Sequence, residues 1–288
     1  MRYAFFPGCS MEATAWDFGK SARALFKALD IRLEEIPGWV CCGSTPAHSS
    51  SEGLALALPA LNLQKAGAMG APVMTACAAC YSRLRAANHR IQNDPESRKR
   101  AEQLTEKPYD GGVAVHHILD VLVNHVGRDV ISSRIKRPLR GLRIACYYGC
   151  LLSRPPGIVA YDDPEHPSCM DGLLELAGAE TVQWPFKTEC CGASLAITNN
   201  DVVNRLVHRI LSMAALAGAN CVAVACPLCQ MNLDLRQDDA RKAHGDFPTL
   251  PVLYVTQLLG IALGLSEKDV GLEALTVGAD KLLAGAAR

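Results

Sequence analysis

Two stretches decide the fold when set side by side. One runs from Cys41-Cys42-Gly43 to Val73-Met74-Thr75-Ala76-Cys77-Ala78-Ala79-Cys80, the other from Cys190-Cys191-Gly192 to Cys221-Val222-Ala223-Val224-Ala225-Cys226-Pro227-Leu228-Cys229. Each has a vicinal cysteine pair with a glycine, then a short apolar run that ends in CxxC. In both, the first cysteine of the CxxC lies 35 positions after the second of the pair. A Gly-Cys behind aromatic residues precedes each, in Phe5-Phe6-Pro7-Gly8-Cys9 and Tyr147-Tyr148-Gly149-Cys150. The pattern C…CCG…CxxC therefore occurs twice, which marks an internal duplication.

Working outward, Val115-His116-His117-Ile118-Leu119-Asp120-Val121-Leu122 echoes Val252-Leu253-Tyr254-Val255-Thr256-Gln257-Leu258-Leu259, an apolar pattern closing each half. The halves fall at 1–137 and 138–288. The basic run Arg134-Ile135-Lys136-Arg137-Pro138-Leu139-Arg140-Gly141 is the linker, read as a solvated connection in preference to a docking patch. Strands are predicted over Arg2–Phe6, Arg32–Ile36, Val73–Ala76, Arg143–Tyr147, Thr181–Phe186 and Cys221–Ala225. Between them, Phe18, Ala22, Leu25, Phe26 and Leu29 share one helical face, and Thr14 with Asp17 resembles a capping box. Val203, Leu206, Val207, Ile210 and Ala214 do the same after Asn199-Asn200-Asp201. Alternating strands and helices give an α/β class, two similar tandem domains, each a small parallel-strand β-α-β unit with crossover helices. The cysteines then fall just after strand ends, where sites on such sheets gather.

Composition narrows the function. The 288 residues hold 13 cysteines, too few for a small disulfide scaffold and too many for an ordinary enzyme. Lys+Arg balances Asp+Glu at 29 each, which excludes a basic nucleic-acid binder, and 49% hydrophobic residues exclude disorder. The start, from Met1 to Cys9, is not a signal peptide. The longest apolar stretch, Leu250–Leu265, is 16 residues interrupted by Pro251, Thr256 and Gln257, which reads as core, not as a membrane span. A cytoplasmic setting is expected, and there an odd thiol count points to metal, redox chemistry or both.

Adjacent strand residues point to opposite faces, so Cys41-Cys42 can grip one centre only if the chain turns there. Gly43 and Gly192 permit that turn. The CxxC after Val73–Ala76 opens a helix, whose free N–H groups favour thiolate. Each half thus brings five candidate sulfur ligands from three loops. Structural zinc takes four ligands, cubane iron–sulfur clusters also take four, and a thioredoxin-like CxxC leaves the vicinal pairs unexplained. A larger thiolate-rich iron–sulfur centre ranks first on spacing, zinc second and dithiol redox chemistry third. No Ser/His/Asp set, phosphate loop or nucleotide-binding glycine fingerprint competes.

The duplicated pattern, with Tyr147-Tyr148-Gly149-Cys150-Leu151-Leu152-Ser153-Arg154-Pro155 and Ala225-Cys226-Pro227-Leu228-Cys229-Gln230-Met231-Asn232, resembles the cysteine-rich "CCG" domain and the two-domain B subunit of heterodisulfide reductase. The resemblance spans essentially the whole chain. It implies two noncubane 4Fe-4S clusters, one on Cys9, Cys41, Cys42, Cys77 and Cys80, the other on Cys150, Cys190, Cys191, Cys226 and Cys229. Zinc in the N-terminal motif is the alternative. The 34-residue gap between CC and CxxC is about one residue shorter than the family pattern in both halves. The resemblance further implies a disulfide, thiol or persulfide substrate between the clusters, each supplying one electron, with no catalytic side chain named. The implied partners are a ferredoxin-like C subunit and a flavin-containing A subunit, and neither nucleic acid nor a membrane span is expected. Abundant Ala, Arg and Leu lean towards a GC-rich bacterial source and so towards bacterial sulfur oxidation. The alternative is a non-catalytic electron-transfer or zinc-stabilised assembly subunit of a redox complex.

Outside the motif, Cys146 and Cys221 sit in strand patterns and read as packing, and Cys169, at a helix start, reads as unreactive. His116 and His117 read as core or capping histidines. The tail beyond Ser266 reads as a surface helix. Cys9 to Cys41 is 32 positions but Cys150 to Cys190 is 40, the excess falling in a Pro-rich loop over 154–167. A surface loop is expected there, with a lid over the site as the sharper hypothesis.

Overall fold

The computed structural model describes residues 1–159 and 161–286. Ala160 of the Pro-rich loop and the last two residues lie outside the described residues. The N-terminal half runs β1 (Arg2–Phe6), α1 (Trp16–Ala28), β2 (Arg32–Glu35), α2 (Ser44–Ser50), α3 (Glu52–Ala68), β3 (Val73–Thr75), α4 (Ala78–Asn93), α5 (Pro95–Thr105), β4 (Val115–His117) and α6 (Ile118–Asp120). The last continues as a π-helical turn over Val121–Val126, followed by α7 (Arg128–Arg134). The C-terminal half runs β5 (Arg143–Tyr147), α8 (Cys169–Leu176), β6 (Glu180–Thr181), α9 (Asn200–Leu216), β7 (Cys221–Val224), α10 (Pro227–Leu235), α11 (Gln237–His244), β8 (Val252–Tyr254), α12 (Val255–Ala262) and α13 (Asp280–Ala286).

Each half builds a four-stranded sheet in which every pairing is parallel, ordered β2-β1-β3-β4 and β6-β5-β7-β8. The α/β class and the tandem repeat expected from sequence are thus present, with two differences. The closing runs at Val115 and Val252 each begin with a strand before turning helical, so each sheet gains a fourth strand. The strand expected over Thr181–Phe186 pairs only at Glu180–Thr181, because the chain leaves the ladder and Trp184 donates its indole N–H to the Cys146 carbonyl at 3.2 Å. The capping box at Thr14 is not formed either. Helix α1 starts after Ala15 without a side-chain cap, and Asp17 is buried facing the other half.

Strand order 2-1-3-4 places a switch point between β1 and β3, from which the chain leaves in opposite directions. Loops after those strands diverge there and leave a crevice at the carboxyl ends. β5 and β7 form the same crevice in the second sheet.

One continuous core joins the halves. Phe18 on α1 stacks on Tyr254 with ring centroids 3.9 Å apart and planes 4° from parallel, and both rings are fully buried. Beside them Ser21 and Thr256 share a hydroxyl hydrogen bond at 2.7 Å, and Gln257 donates to Asp17 at 3.2 Å. The basic run after α7 is tied down as well. Arg134 pairs with Asp30 at 2.6 Å, and the backbone N–H groups of Lys136 and Arg137 donate to the Ala262 carbonyl. The Pro-rich loop crosses to the N-terminal half. Arg85 on α4 donates to the Ile158 carbonyl at 2.8 Å, and Tyr161 packs against Tyr81 and His117. The tail after Ser266 is no free surface helix, since Val270, Leu272 and Leu283 are buried and the Thr276 and Val277 N–H groups donate to Asp234. Among the described residues no helix is long and apolar enough to cross a membrane.

Candidate metal centre

Each half builds its sulfur cluster in three steps. The first loop leaves the central strand through Gly8 or Gly149 at positive φ. A Cβ on Gly8 would lie 2.8 Å from the Cys80 sulfur, and one on Gly149 would lie 3.1 Å from that of Cys229, so only glycine lets the Cys9 and Cys150 loops close in. The second loop carries the vicinal pair and turns at Gly43 (φ +81) or Gly192 (φ +79), the left-handed turn the pair needs. The third step is the CxxC. Cys77 and Cys226 are the N-caps of α4 and α10, with Cys80 and Cys229 inside the first turn.

The sulfurs meet. Cys42 and Cys80 are 3.4 Å apart, and Cys191 and Cys229 are 3.6 Å apart. Contacts continue from Cys41 to Cys42, from Cys80 to Cys77, across the halves from Cys77 to Cys226, and on to Cys229. Cys150 meets Cys190, and Cys9 lies within electrostatic reach of Cys41. All ten motif cysteines therefore gather at the carboxyl ends of the two sheets. Burial decreases outward, from Cys77 and Cys226 at the middle to exposed Cys9, Cys41 and Cys190.

Packing thiols this closely splits their acidities. A hydrogen bond from Cys41, then one from Cys80, holds Cys42 far below the usual thiol range, while Cys41 is pushed up as the donor. Bonds from Cys229 and Cys77, with the Cys229 and Leu228 N–H groups at the start of α10, do the same for Cys226. Cys190 drops to about 6, chiefly through Cys150 and also through the Gly192 N–H at 3.3 Å. Cys77, by contrast, is raised because it donates to Cys226. Cys42 is thus a lowered thiol of the N-terminal set, and Cys190 and Cys226 are lowered thiols of the C-terminal set.

A cavity of about 220 Å³ opens beside the C-terminal set. All five of that set's cysteines line it, and the N-terminal half contributes Ser44, Ala78, Ala79 and Arg83 to its wall. Among the described residues of 154–167 none lines it, so the loop acts as a strap between halves and not as a lid on this cavity.

The donor set fits an iron–sulfur centre. The converging ligand atoms are soft sulfurs, the kind that select zinc or iron–sulfur clusters. Five per half exceed the four that structural zinc uses. Ligands about 2.3 Å from one tetrahedral metal stand only a few tenths of an ångström wider than the observed 3.4 and 3.6 Å.

Supporting side chains escaped the sequence reading. The Asn62 amide accepts from the Val40 N–H and donates to its carbonyl, both at 2.9 Å, and so holds the chain just before Cys41. Asn232 donates to the Cys191 carbonyl at 3.0 Å, and Tyr147 donates to the Glu189 carbonyl at 2.6 Å. Behind them the buried pair Lys187–Asp171 (2.7 Å) receives the Tyr148 hydroxyl at 2.6 Å. Arg83 had a signal, since three residues after Cys80 on a helix it faces the same side. Asn62 had none.

The remaining candidates resolve as packing. Cys146 and Cys221 are fully buried in β5 and β7, and burial raises both thiols. Burial likewise raises Cys169. Buried His117 donates to the Ala76 carbonyl at 3.0 Å and caps Leu119, and burial lowers it to about 4. His116, Asp120 and His125 bring ligand atoms within 4.8 Å of one another, but hydrogen bonds to one another, Tyr3 and Asn124 already pair them.

The cysteine-rich domain family model matches twice, at residues 3–85 and 144–234. The chain is 33% identical to the membrane anchor subunit of the 8-methylmenaquinol:fumarate reductase of Wolinella succinogenes, covering 97% of this chain and 98% of that one. It is 30% identical to the B subunit of the ferredoxin/F(420)H(2)-dependent CoB-CoM heterodisulfide reductase of Methanosarcina acetivorans, over 94% and 92% of the two chains. A crystal structure of a hypothetical protein from Helicobacter pylori shares the fold, with a TM-score of 0.76 at 15% identity over 96% of this chain, which spans about half (52%) of that one. The chain belongs to the cysteine-rich CCG family and, within it, to the group of heterodisulfide reductase B subunits.

Proposed function

We propose that this member of the family, built from units 1–137 and 138–288, is an iron–sulfur catalytic subunit of a cytoplasmic heterodisulfide reductase-like complex. It acts on disulfide, thiol or persulfide groups. Cys9, Cys41, Cys42, Cys77 and Cys80 hold one noncubane 4Fe-4S cluster, and Cys150, Cys190, Cys191, Cys226 and Cys229 hold the other. The observation that carries this reading is the meeting of two complete five-sulfur sets at Cys77 and Cys226, beside a cavity walled by both halves. Clusters there would each supply one electron, so that a sulfur–sulfur bond is broken or formed in one-electron steps.

The chain's own residues do the rest. The glycine turns let backbone approach the sulfurs, the N–H groups at the start of α10 favour the Cys226 thiolate, and the asparagine clamps fix the vicinal pairs. Leu151, Ala193 and Leu228 supply an apolar wall that limits water around the reacting sulfurs. Flavin-containing and ferredoxin-like subunits of the same complex are its expected electron partners. Anaerobic purification with iron, acid-labile sulfide and zinc analysis, plus electron paramagnetic resonance (EPR), tests the reading. Two distinct iron–sulfur signals support it, and zinc without labile sulfide overturns it.

The likeness to the Wolinella protein, which extends over nearly both full lengths, favours a second reading. In it the same sulfur centres pass electrons within a quinol:fumarate reductase type of complex. Fumarate reduction without thiol–disulfide turnover in the purified complex would select that reading.

A further inference from the structure

One charged side chain from the N-terminal half stands in the wall of the C-terminal sulfur cavity. Arg83 lies on α4 one turn after Cys80, and its flank borders the space that Cys150, Cys190, Cys191, Cys226 and Cys229 line. Its Nε is buried and has no hydrogen-bond partner among the described residues, and no ion pair engages its guanidinium there. A buried donor without a partner costs about 1–3 kcal/mol, so an Nε kept in this state on a half-buried arginine marks a position where an acceptor arrives with something not yet bound. The acceptors that this cavity is built to surround are sulfurs carrying negative charge. Cys42 of the N-terminal set also acts electrostatically on Arg83, which places the cation between the two sulfur sets.

The duplication makes the placement informative. Three residues after the second cysteine of the CxxC, the N-terminal half has Arg83 and the C-terminal half has Asn232. Asn232 stays within its own half and holds the Cys191 carbonyl. Among the described residues Arg83 has no such bond and borders the cavity that the other half's cysteines line. The two copies of one helix position have therefore separated, one neutral and local, one cationic and bordering the other half's cavity.

We propose that Arg83 is a positioning residue that the N-terminal half supplies to the C-terminal iron–sulfur centre. There it would donate to the centre's sulfur and raise its reduction potential. The proposal rests on the iron–sulfur reading above. A positive charge in a poorly hydrated wall stabilises the more negative, reduced state. It also makes the C-terminal centre dependent on the other half of the chain.

The test is a potentiometric EPR titration of the intact complex carrying Arg83→Gln, Arg83→Met or Arg83→Lys. A Cys191→Ser complex identifies which signal belongs to the C-terminal centre. Arg83→Gln is expected to shift the C-terminal redox equilibrium at least tenfold towards the oxidised form, which is about 59 mV lower for one electron. Arg83→Met serves if the glutamine variant does not accumulate, and Arg83→Lys keeps most of the parent potential. Undiminished iron and labile sulfide with an unmoved C-terminal potential in the neutral variants overturns the proposal alone. So does a lysine variant as low as glutamine. A parent protein without labile sulfide overturns the iron–sulfur reading instead.

Discussion

The two halves place the same five cysteines by different means. In the N-terminal half the vicinal pair follows a four-residue strand, β2, is clamped by Asn62 and runs straight into a helix, α2. In the C-terminal half the preceding strand has only two residues, and the approach to Cys190 is irregular. There the Cys191 loop is held by Asn232, by the Tyr147 hydroxyl on Glu189, and by the Lys187 carbonyl, which accepts from the Tyr148 and Gly149 N–H groups. What the copies keep is the close approach of Gly8 to Cys80 and of Gly149 to Cys229, together with the 34-residue interval between CC and CxxC. Ligand positions tolerate little change, while the scaffolds behind them have diverged. The acidities diverged too, with Cys42 lowered in the first set and both Cys190 and Cys226 lowered in the second.

The sharpest way to break this comparison is to remove one ligand from each set. Cys42→Ser and Cys191→Ser are each expected to halve iron and labile sulfide, lower turnover by more than about 100-fold and erase a different EPR signal. If either variant loses both signals, the centres are not independent. If neither loses one, the ligand assignment fails.

Next come the supports. Phe18→Ala removes a fully buried ring that belongs to both halves and should cost about 3–5 kcal/mol in urea unfolding. A loss below about 1 kcal/mol would show that the halves do not share a core. Lys187→Met strands the Asp171 carboxylate in the C-terminal half and should cost about 3–5 kcal/mol. No counterpart of that pair supports the N-terminal vicinal cysteines among the described contacts, so the effect should centre on the C-terminal signal.

A smaller effect concerns pH. Burial raises Asp17 to about 6, above its unfolded value of 3.8, with an offset from the Phe18 N–H and a further push from Asp234. The folded state then holds the extra proton between those values, and Asp17 lowers stability as pH rises from about 4 to 6. His117 does the reverse. Held at about 4 against an unfolded 6.5, it stays neutral in the fold, so stability is lost as pH falls through that window. The two nearly cancel in the parent. Asp17→Asn should gain about 1–2 kcal/mol at pH 7 and uncover a stability that climbs from about pH 4 to 6.5. An unchanged pH profile would contradict the buried-carboxylate account. Smallest of all, Glu165→Gln breaks an exposed pair with Arg154 on the strap and should change stability by less than about 0.5 kcal/mol.

Much of this was legible in the sequence because the ligands recur with fixed spacing and central strands have strong local signals. Arg2–Phe6 and Arg143–Tyr147 are strands over the residues expected, and the helical face expected after Asn199-Asn200-Asp201 lies on α9. The fourth strands were hidden because Val115–His117 and Val252–Tyr254 are three residues long and run without a turn into helices, so the helical period dominates. Thr14 and Asp17 look like a cap locally, but Gln257 claims Asp17 from 240 positions away. The same distance in sequence hides the site's wall. Nothing adjacent to Arg83 announces that its cavity belongs to the other half, or that Arg85 meets the Pro-rich loop.

The stacking of Phe18 on Tyr254 has a consequence for biosynthesis. The apolar face of α1 is made long before α12, which helps cover it. At elongation rates of about 5–20 residues per second, that face waits many seconds at the ribosome for its cover. During that interval the N-terminal thiols are complete while Cys226, the partner of Cys77, is still being synthesised. Protection of α1 and timing of metal delivery thus become one problem, and a factor that shields the nascent first half would also guard its unfilled sulfur site.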